Sequence, residues 1–421
     1  MKSIFLDIFL LLLILNIIEN NQEFLGENDD IVDTISTDDE SAFLEAVNKL
    51  NEKGGTIYIN TTIINISIKK SIQILGKLKG GIIGLKQPNN QYPIISFKNQ
   101  FQVNPVFYEN GMEIIGSYKY IKYLIFEHSA NYAISIYGEE NTIDHVITRY
   151  NGDGGIQVNS QADFTIIKNS YSYRNCNWWK VGIYGEGFYS MKTFGNEYKY
   201  CYAWDNCKYG FRSHENSNII YIEHLHSAAW NNDNSDVFTG KYDYDQGKEL
   251  DKNMVSIQEI IKSDPNYESN YNSRNFNIDN AKVFNDTIQN FTAKLDGSNV
   301  YPAFAAMKCD YCASFDHNKL RGIGGSAFSN PIAEITNCAS FNNEINYGLD
   351  YRGYNKWNNN WGWNGKEKDI MYADKTILKP STKNPEKLFY SIRDQIIKAV
   401  QANTFPDDNI NFDSAIMSLK E

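Results

Sequence analysis

Residues 201–212 read CYAWDNCKYGFR, and the stretch belongs to a series. A small residue, an aromatic and then Asn or Asp recur in TRYNG (Tyr150), SYRNC (Tyr173), AWDNC (Trp204), AWNND (Trp230), VFNDT (Phe284), SFDHN (Phe315) and SFNNE (Phe341). The aromatics are 23, 31, 26, 54, 31 and 26 residues apart, and 54 is about two periods. Between them lie short apolar or alternating runs such as AISIY, GIQVN, FTIIK, NIIYIEHL and AEITN, the pattern of strands. Repeats of that length without a helical pattern indicate a solenoid of strands. Parallel stacking would set each aromatic over the last in the coil interior, with buried Asn amides hydrogen-bonded in a ladder. The expected fold is all-β, a right-handed parallel β-helix about ten coils long.

The cysteines keep the same register. Cys201, Cys312 and Cys338 each precede the repeat aromatic by three, while Cys176 and Cys207 follow it by three. Side chains in register on adjacent coils point the same way, so a stack of buried thiols is expected in preference to disulfides. The pair Cys309 and Cys312 is too isolated to read as a zinc site.

The ends differ from the repeat. Residues 1–20 hold one Lys and an apolar run of about fifteen residues, expected to act as a secretory signal. The run is short of the ~20 residues that span a bilayer, and no membrane association is expected beyond it. After a polar leader at 21–35, Ser36 to Asp39 can cap a helix whose face carries Phe43, Ala46, Val47 and Leu50, with Gly54-Gly55 as its stop. That helix would cover the open end of a solenoid spanning 36–380. Residues 237–280 read as a polar excursion from one coil. In the segment 381–421, Asn384 would cap and Pro385 start a helix that packs back through Leu388, Phe389, Ile392, Ile396, Ala399 and Val400.

The chain has 421 residues, 42% hydrophobic, with a formal net charge of -11. It can bury a large core, and its acidity argues against nucleic-acid binding. A secreted, extracellular monomer is expected. Sequons at Asn60, Asn65, Asn285 and Asn290 offer glycan acceptors if the host is eukaryotic.

The coil series NGDGGIQVNS (151–160), GEGFYSMK, CYAWDNCKYGFR, CASFDHN and CASFNNE resembles family 9 polysaccharide lyases, the pectate-lyase-type β-helices, over roughly residues 120–350. GGTIYI after the first helix resembles the start of the wider pectin-lyase-like superfamily. The resemblance implies β-elimination on a uronate by a Lys base, with calcium held by aspartates at the substrate carboxylate. Residue by residue, those positions have changed. An Asp before Gly-Phe is Glu186 here. An Asp-Asp-Gly-aromatic-Asp run is Lys208, Tyr209, Gly210, Phe211 and Arg212. The base position falls on Thr239 in DVFTG or Ala305 in PAFAA, and neither takes a proton. No cofactor is therefore expected, since calcium wants six to eight oxygens and Glu186 alone survives.

Acidic polysaccharide of the polygalacturonate or pectin type is the expected partner. In one reading the fold keeps a binding groove without catalysis, lined by Tyr209, Trp178 and Trp179. In another, Lys208 and Arg212 replace the metal as fixed cations, with Lys192, Lys241 or a His as base, so that Lys192 and Arg212 would be catalytic. A glycoside hydrolase would need a carboxylate pair, for which Asp153, Glu186 and Asp205 are available. A structural or adhesive β-helix is a further class. His224 and His226, two apart on an expected strand, would face the same way.

Overall fold

The computed structural model describes residues 30–68, 70–97, 109–160, 162–175, 185–191, 193–206, 209–214, 221–232, 302–305, 308–317, 321–324, 334–343, 345–348, 356–366, 368–371, 376–381 and 383–420. The signal segment, most of the leader, the 237–280 excursion, and Lys192, Lys208, Trp178, Trp179, Lys241, Cys176, Cys207, Thr239, Phe284, Asn285 and Asn290 lie outside these residues.

Among the described residues every strand pair is parallel, and apart from Ile31–Ile35 with Gly55–Ile59, which the first helix connects, strands next to each other in sequence are not those that pair. Ile57, Ile82, Ile121, Ile143, Ile167, Tyr198, His224, Cys309 and Ile335 stand in register on the first face. The second face runs through ten described strands, from Ile63–Asn65 to Trp361–Trp363. The third carries Ile72–Ile74, Met112–Ile114, Ile134–Ile136, Gly154–Val158, Glu186–Met191 and Tyr209–His214 in order. Four strands between Pro302 and Met371 form a further ladder. The chain is a parallel β-helix, and its interior is filled by in-register apolar columns.

Single left-handed residues turn the chain at each corner. Tyr123, His145, Asn169, Tyr200, His226, Tyr311, Asn337 and Asn359 form one such column. His128, Tyr150, Arg174, Asp205, Asn231, Asp316, Asn342 and Asn364 form another. Asn and Asp tolerate this conformation better than most residues, which accounts for the Asn or Asp that follows Trp204, Trp230, Phe315 and Phe341, whereas Arg174 holds that place after Tyr173. The ladder residue comes one position later. Asn151, Asn175, Asn206 and Asn232 pass amide hydrogen bonds of 2.9–3.0 Å from coil to coil, and His317 and Asn343 continue the column through backbone donors.

The aromatics stack as expected but on the other side of the sheet. Tyr173, Trp204, Trp230, Phe315, Phe341 and Trp363 are separated by 4.7, 5.0, 5.7, 4.9 and 4.4 Å, with interplanar angles between 1° and 11°. Strand alternation sends Cys201 and Ala203 into the coil interior, so Tyr202 and Trp204 face outward. They are buried because the C-terminal segment lies over them. Phe389 meets Phe315, Phe341 and Trp363, and Phe412 meets Tyr202, Trp230 and Phe315. Tyr150 is one place out of register. Arg149 pairs with Tyr173 across the ladder and reaches Glu127 at 2.8 Å, while Tyr150 turns the corner.

The N-terminal helix Glu40–Lys53 starts at Asp39, whose carboxylate accepts from the Ala42 N–H, and buries Phe43, Ala46, Val47 and Leu50 before Gly54 at φ 73°. The C-terminal helix begins later than expected, at Glu386, with Pro385 preceding it. Asn384 is left-handed and offers its carbonyl, not its side chain, to the Lys387 N–H. Phe389, Ile392, Ile396 and Val400 are buried, but Leu388 is exposed, since it lies off the face that meets the aromatic stack. Cys201, Cys309, Cys312 and Cys338 are buried free thiols.

Candidate functional site

The third face carries Glu186, Tyr209 and Arg212. Glu186 opens its strand and pairs in register with Gly154 on one side and Tyr209 on the other. It is fully buried. Its Oε1 accepts from Arg212 Nη1 at 2.6 Å, and its Oε2 accepts from the Tyr132 hydroxyl at 3.0 Å and the Gly185 N–H at 3.3 Å. The guanidinium lies 5.0 Å from the Tyr189 ring centre and 5.3 Å from that of Tyr209, a cation between two aromatic faces. Tyr189 stacks in turn with Tyr132, 6.2 Å between centres.

Burial opposes the charge on Arg212, but Glu186 and the neighbouring phenols of Tyr209 and Tyr189 outweigh it and hold the guanidinium above its ordinary range. Burial pushes the Tyr132 phenol well up, and Glu186 and Asp153 push it further. Tyr132 therefore stays a donor, and Arg212 stays a cation whose side chain remains about 20% exposed.

Of the residues picked from sequence, the fold brings together Glu186, Tyr209 and Arg212, and sets Asp153 near the same hydroxyl. Asp205 belongs to a different place. It turns a corner, accepts from Asn231 at 2.5 Å and lies 3.7 Å from Arg174. His224 and His226 do not face the same way. His224 points into the coil against Tyr198 and Phe211, where burial lowers its pKa to about 3. His226 has left the strand, turns the corner at φ 53°, stacks between Tyr200 and Tyr311, and meets Asp413 of the C-terminal segment at 2.9 Å. Ala305, at one of the two positions where the resemblance would set a base, ends the strand Pro302–Ala305.

No motif in the sequence marks Tyr132 or Tyr189 as a site residue. The signal for Tyr132 was Gly154, one coil of 22 residues further on. A Cβ at Gly154 would meet the Tyr132 ring at 2.3 Å, so the glycine lets the phenol cross its coil and reach Glu186 on the next. Only glycine provides that clearance.

The molecule is thus a parallel β-helix with a buried carboxylate and a guanidinium joined on one face. Residues 26–248 match the family described as Pel9A-like, right-handed β-helix region, and the chain belongs to that family. It is similar to pectate lyase L of Dickeya chrysanthemi and of Dickeya dadantii (strain 3937), 26% identical in each case over 115 residues, which are 27% of this chain and 27% of each relative. The match therefore spans about a quarter of those relatives. Among solved structures it resembles pectate lyase Pel9A, with a TM-score of 0.60, 16% identity and coverage of 91% of this chain and 88% of that one, a likeness of fold.

Proposed function

We propose that this protein is an extracellular β-helix that binds acidic polysaccharide of the polygalacturonate or pectin type on its third face, with Arg212 in the role that calcium has in pectate lyases. The observation that carries the reading is the Glu186–Arg212 pair at 2.6 Å. Both oxygens of the single ligand-like carboxylate are already engaged by donors, and a fixed cation stands beside it. Calcium would need several more oxygens and would meet like charge, so these residues do not fit it. A guanidinium braced by a carboxylate and two rings suits a sugar carboxylate instead. Tyr209 and Tyr189 add aromatic faces beside it, and Lys208, Trp178 and Trp179 are near in sequence. Export is supported by the apolar N-terminal run and by the exposed sequon residue Asn60; the amide of Asn65 is less available because it donates to Asp38 at 2.6 Å.

The reading makes the protein a binding module, because neither register for the family's Lys base supplies a group that takes a proton. Affinity electrophoresis on polygalacturonate and on a neutral glucan, together with the absorbance of unsaturated product with calcium and with chelator, tests it. Retardation by polygalacturonate alone is expected, reduced by the double change Lys208→Ala with Arg212→Ala by about 2–5 kcal/mol for a desolvated contact. Product formed in chelator would make the site a calcium-free lyase, and equal retardation before and after the change would remove Arg212 from the site.

A further inference from the structure

The outward residues of the third face form one continuous register beyond the ion pair. Arg212 stands beside Tyr189, Tyr189 beside Gln157, Gln157 beside Ser135, Ser135 beside Glu113, and Glu113 beside Gln73. Each of the first five is flanked in its strand by residues that point inward, such as Phe211, Phe188, Ile156, Ile134 and Met112. The row therefore begins at a cation, crosses three uncharged positions and meets a carboxylate four coils away. At ~4.8 Å per strand that separation is about 19 Å, several sugar units.

The row is fixed rather than floppy. Ser135 donates to Gln157 at 2.8 Å and accepts from Asn159 at 2.7 Å. Glu113 is held by the amides of Asn110 at 2.9 Å and Gln73 at 3.0 Å, which donate to its two oxygens. Amide donors bring no positive charge to neutralise it, so its field acts on whatever lies along the row.

We infer that the face is graded to accept an acidic glycan of mixed charge: one uronate at Arg212, followed toward Glu113 by units without a free carboxylate, as in a partly methyl-esterified galacturonan. This inference rests on the proposed binding at Arg212 and adds its direction and its ester preference. A uniformly acidic chain would gain at Arg212 and be repelled at Glu113. Gln157, half-buried, presents an amide that serves hydroxyls and esters without demanding charge, and Ser135, fully buried, holds that amide in place.

Calorimetry on the full-length protein decides it, using galacturonate oligomers of equal length, one fully acidic and one esterified except at a terminal unit. The wild type should bind the esterified oligomer more tightly, by roughly two- to five-fold for a part-exposed charge contact. Glu113→Gln, which keeps the contact from Asn110 and needs only the exposed Gln73 amide to turn over, should abolish that difference, and Gln157→Glu, near-isosteric, should enlarge it. Equal affinity of the two oligomers for the wild type, or a preference unchanged in both variants, overturns the grading while leaving binding at Arg212 intact. Failure of both oligomers to bind removes the site and the grading together.

Discussion

At the scale of single residues, the molecule places titratable groups in positions that demand one protonation state. His317 occupies a place in the ladder where other coils have Asn, and its Nδ1 accepts from the Asn232 N–H at 3.1 Å as an amide oxygen would. The proton must then sit on Nε2, which faces the Ser314 hydroxyl at 3.1 Å. Burial lowers the pKa of His317 to about 3. An unfolded histidine titrates near 6.5, so below that pH the unfolded chain takes the proton first, and stability falls as pH drops toward 3. By pH 4 the loss from this one residue is on the order of 3 kcal/mol. His317→Asn should be near neutral at pH 7 and should flatten the fall in urea midpoint between pH 7 and pH 4. A variant that loses as much midpoint as the wild type over that interval would show that the imidazole is not held neutral. The Glu186–Arg212 pair has the opposite sensitivity to substitution. Glu186→Gln leaves a largely buried guanidinium without its counter-charge, and the expected loss is about 3–5 kcal/mol at neutral pH, read as a lowered urea midpoint. A change under 1 kcal/mol would mean that the guanidinium is already solvated.

At the scale of elements, the C-terminal segment is what makes the outer aromatic stack a core. Phe389 approaches Phe341 at 5.1 Å and Phe412 at 6.0 Å, and it is fully buried. Phe389→Ala should cost about 3–5 kcal/mol in thermal unfolding, whereas Leu388→Ala, one residue away and exposed, should cost less than 1 kcal/mol. Similar effects of the two changes would mean that the helix does not seal the stack. This element also shows what could be read from sequence and what could not. The period of Trp204, Trp230, Phe315 and Phe341 was visible because stacking brings one aromatic round per coil. Trp230 pairs directly with Phe315, however, so the interval between them is one coil and not the further periods expected from the spacing. The side of the sheet they occupy was not visible, since alternation defines two faces and only a helix more than 20 residues beyond the last of these aromatics decides that the outer one is dry. Tyr150 was misplaced by one residue because the motif does not distinguish an aromatic before the corner from an aromatic at it. Glu186, Tyr209 and Arg212 were legible from their motif, but Tyr132 joins them only through the register across Gly154, which no local pattern reveals.

At the scale of the whole molecule, a solenoid draws its stability from each coil's contact with its neighbours, so a ligand bound between two coils stabilises the fold by mass action alone. A calcium ion held with micromolar affinity would add about 4 kcal/mol at millimolar calcium, enough to raise the melting temperature by several degrees. Here the coil that would hold it already has its charge balanced, because Arg212 bridges the Glu186 strand to the next one. Differential scanning calorimetry in millimolar calcium and in excess chelator should therefore give melting temperatures within about 1 °C of each other, the change expected from weak surface binding. The Arg212→Ala variant sharpens the test: with the guanidinium gone, the buried carboxylate lacks its partner and the fold should be destabilised in both buffers, with calcium restoring little because one carboxylate cannot supply the oxygens the ion needs. A rise of several degrees with calcium in the wild type, lost in Glu186→Gln, would establish a metal site on this face and return the protein to the calcium chemistry of pectate lyases.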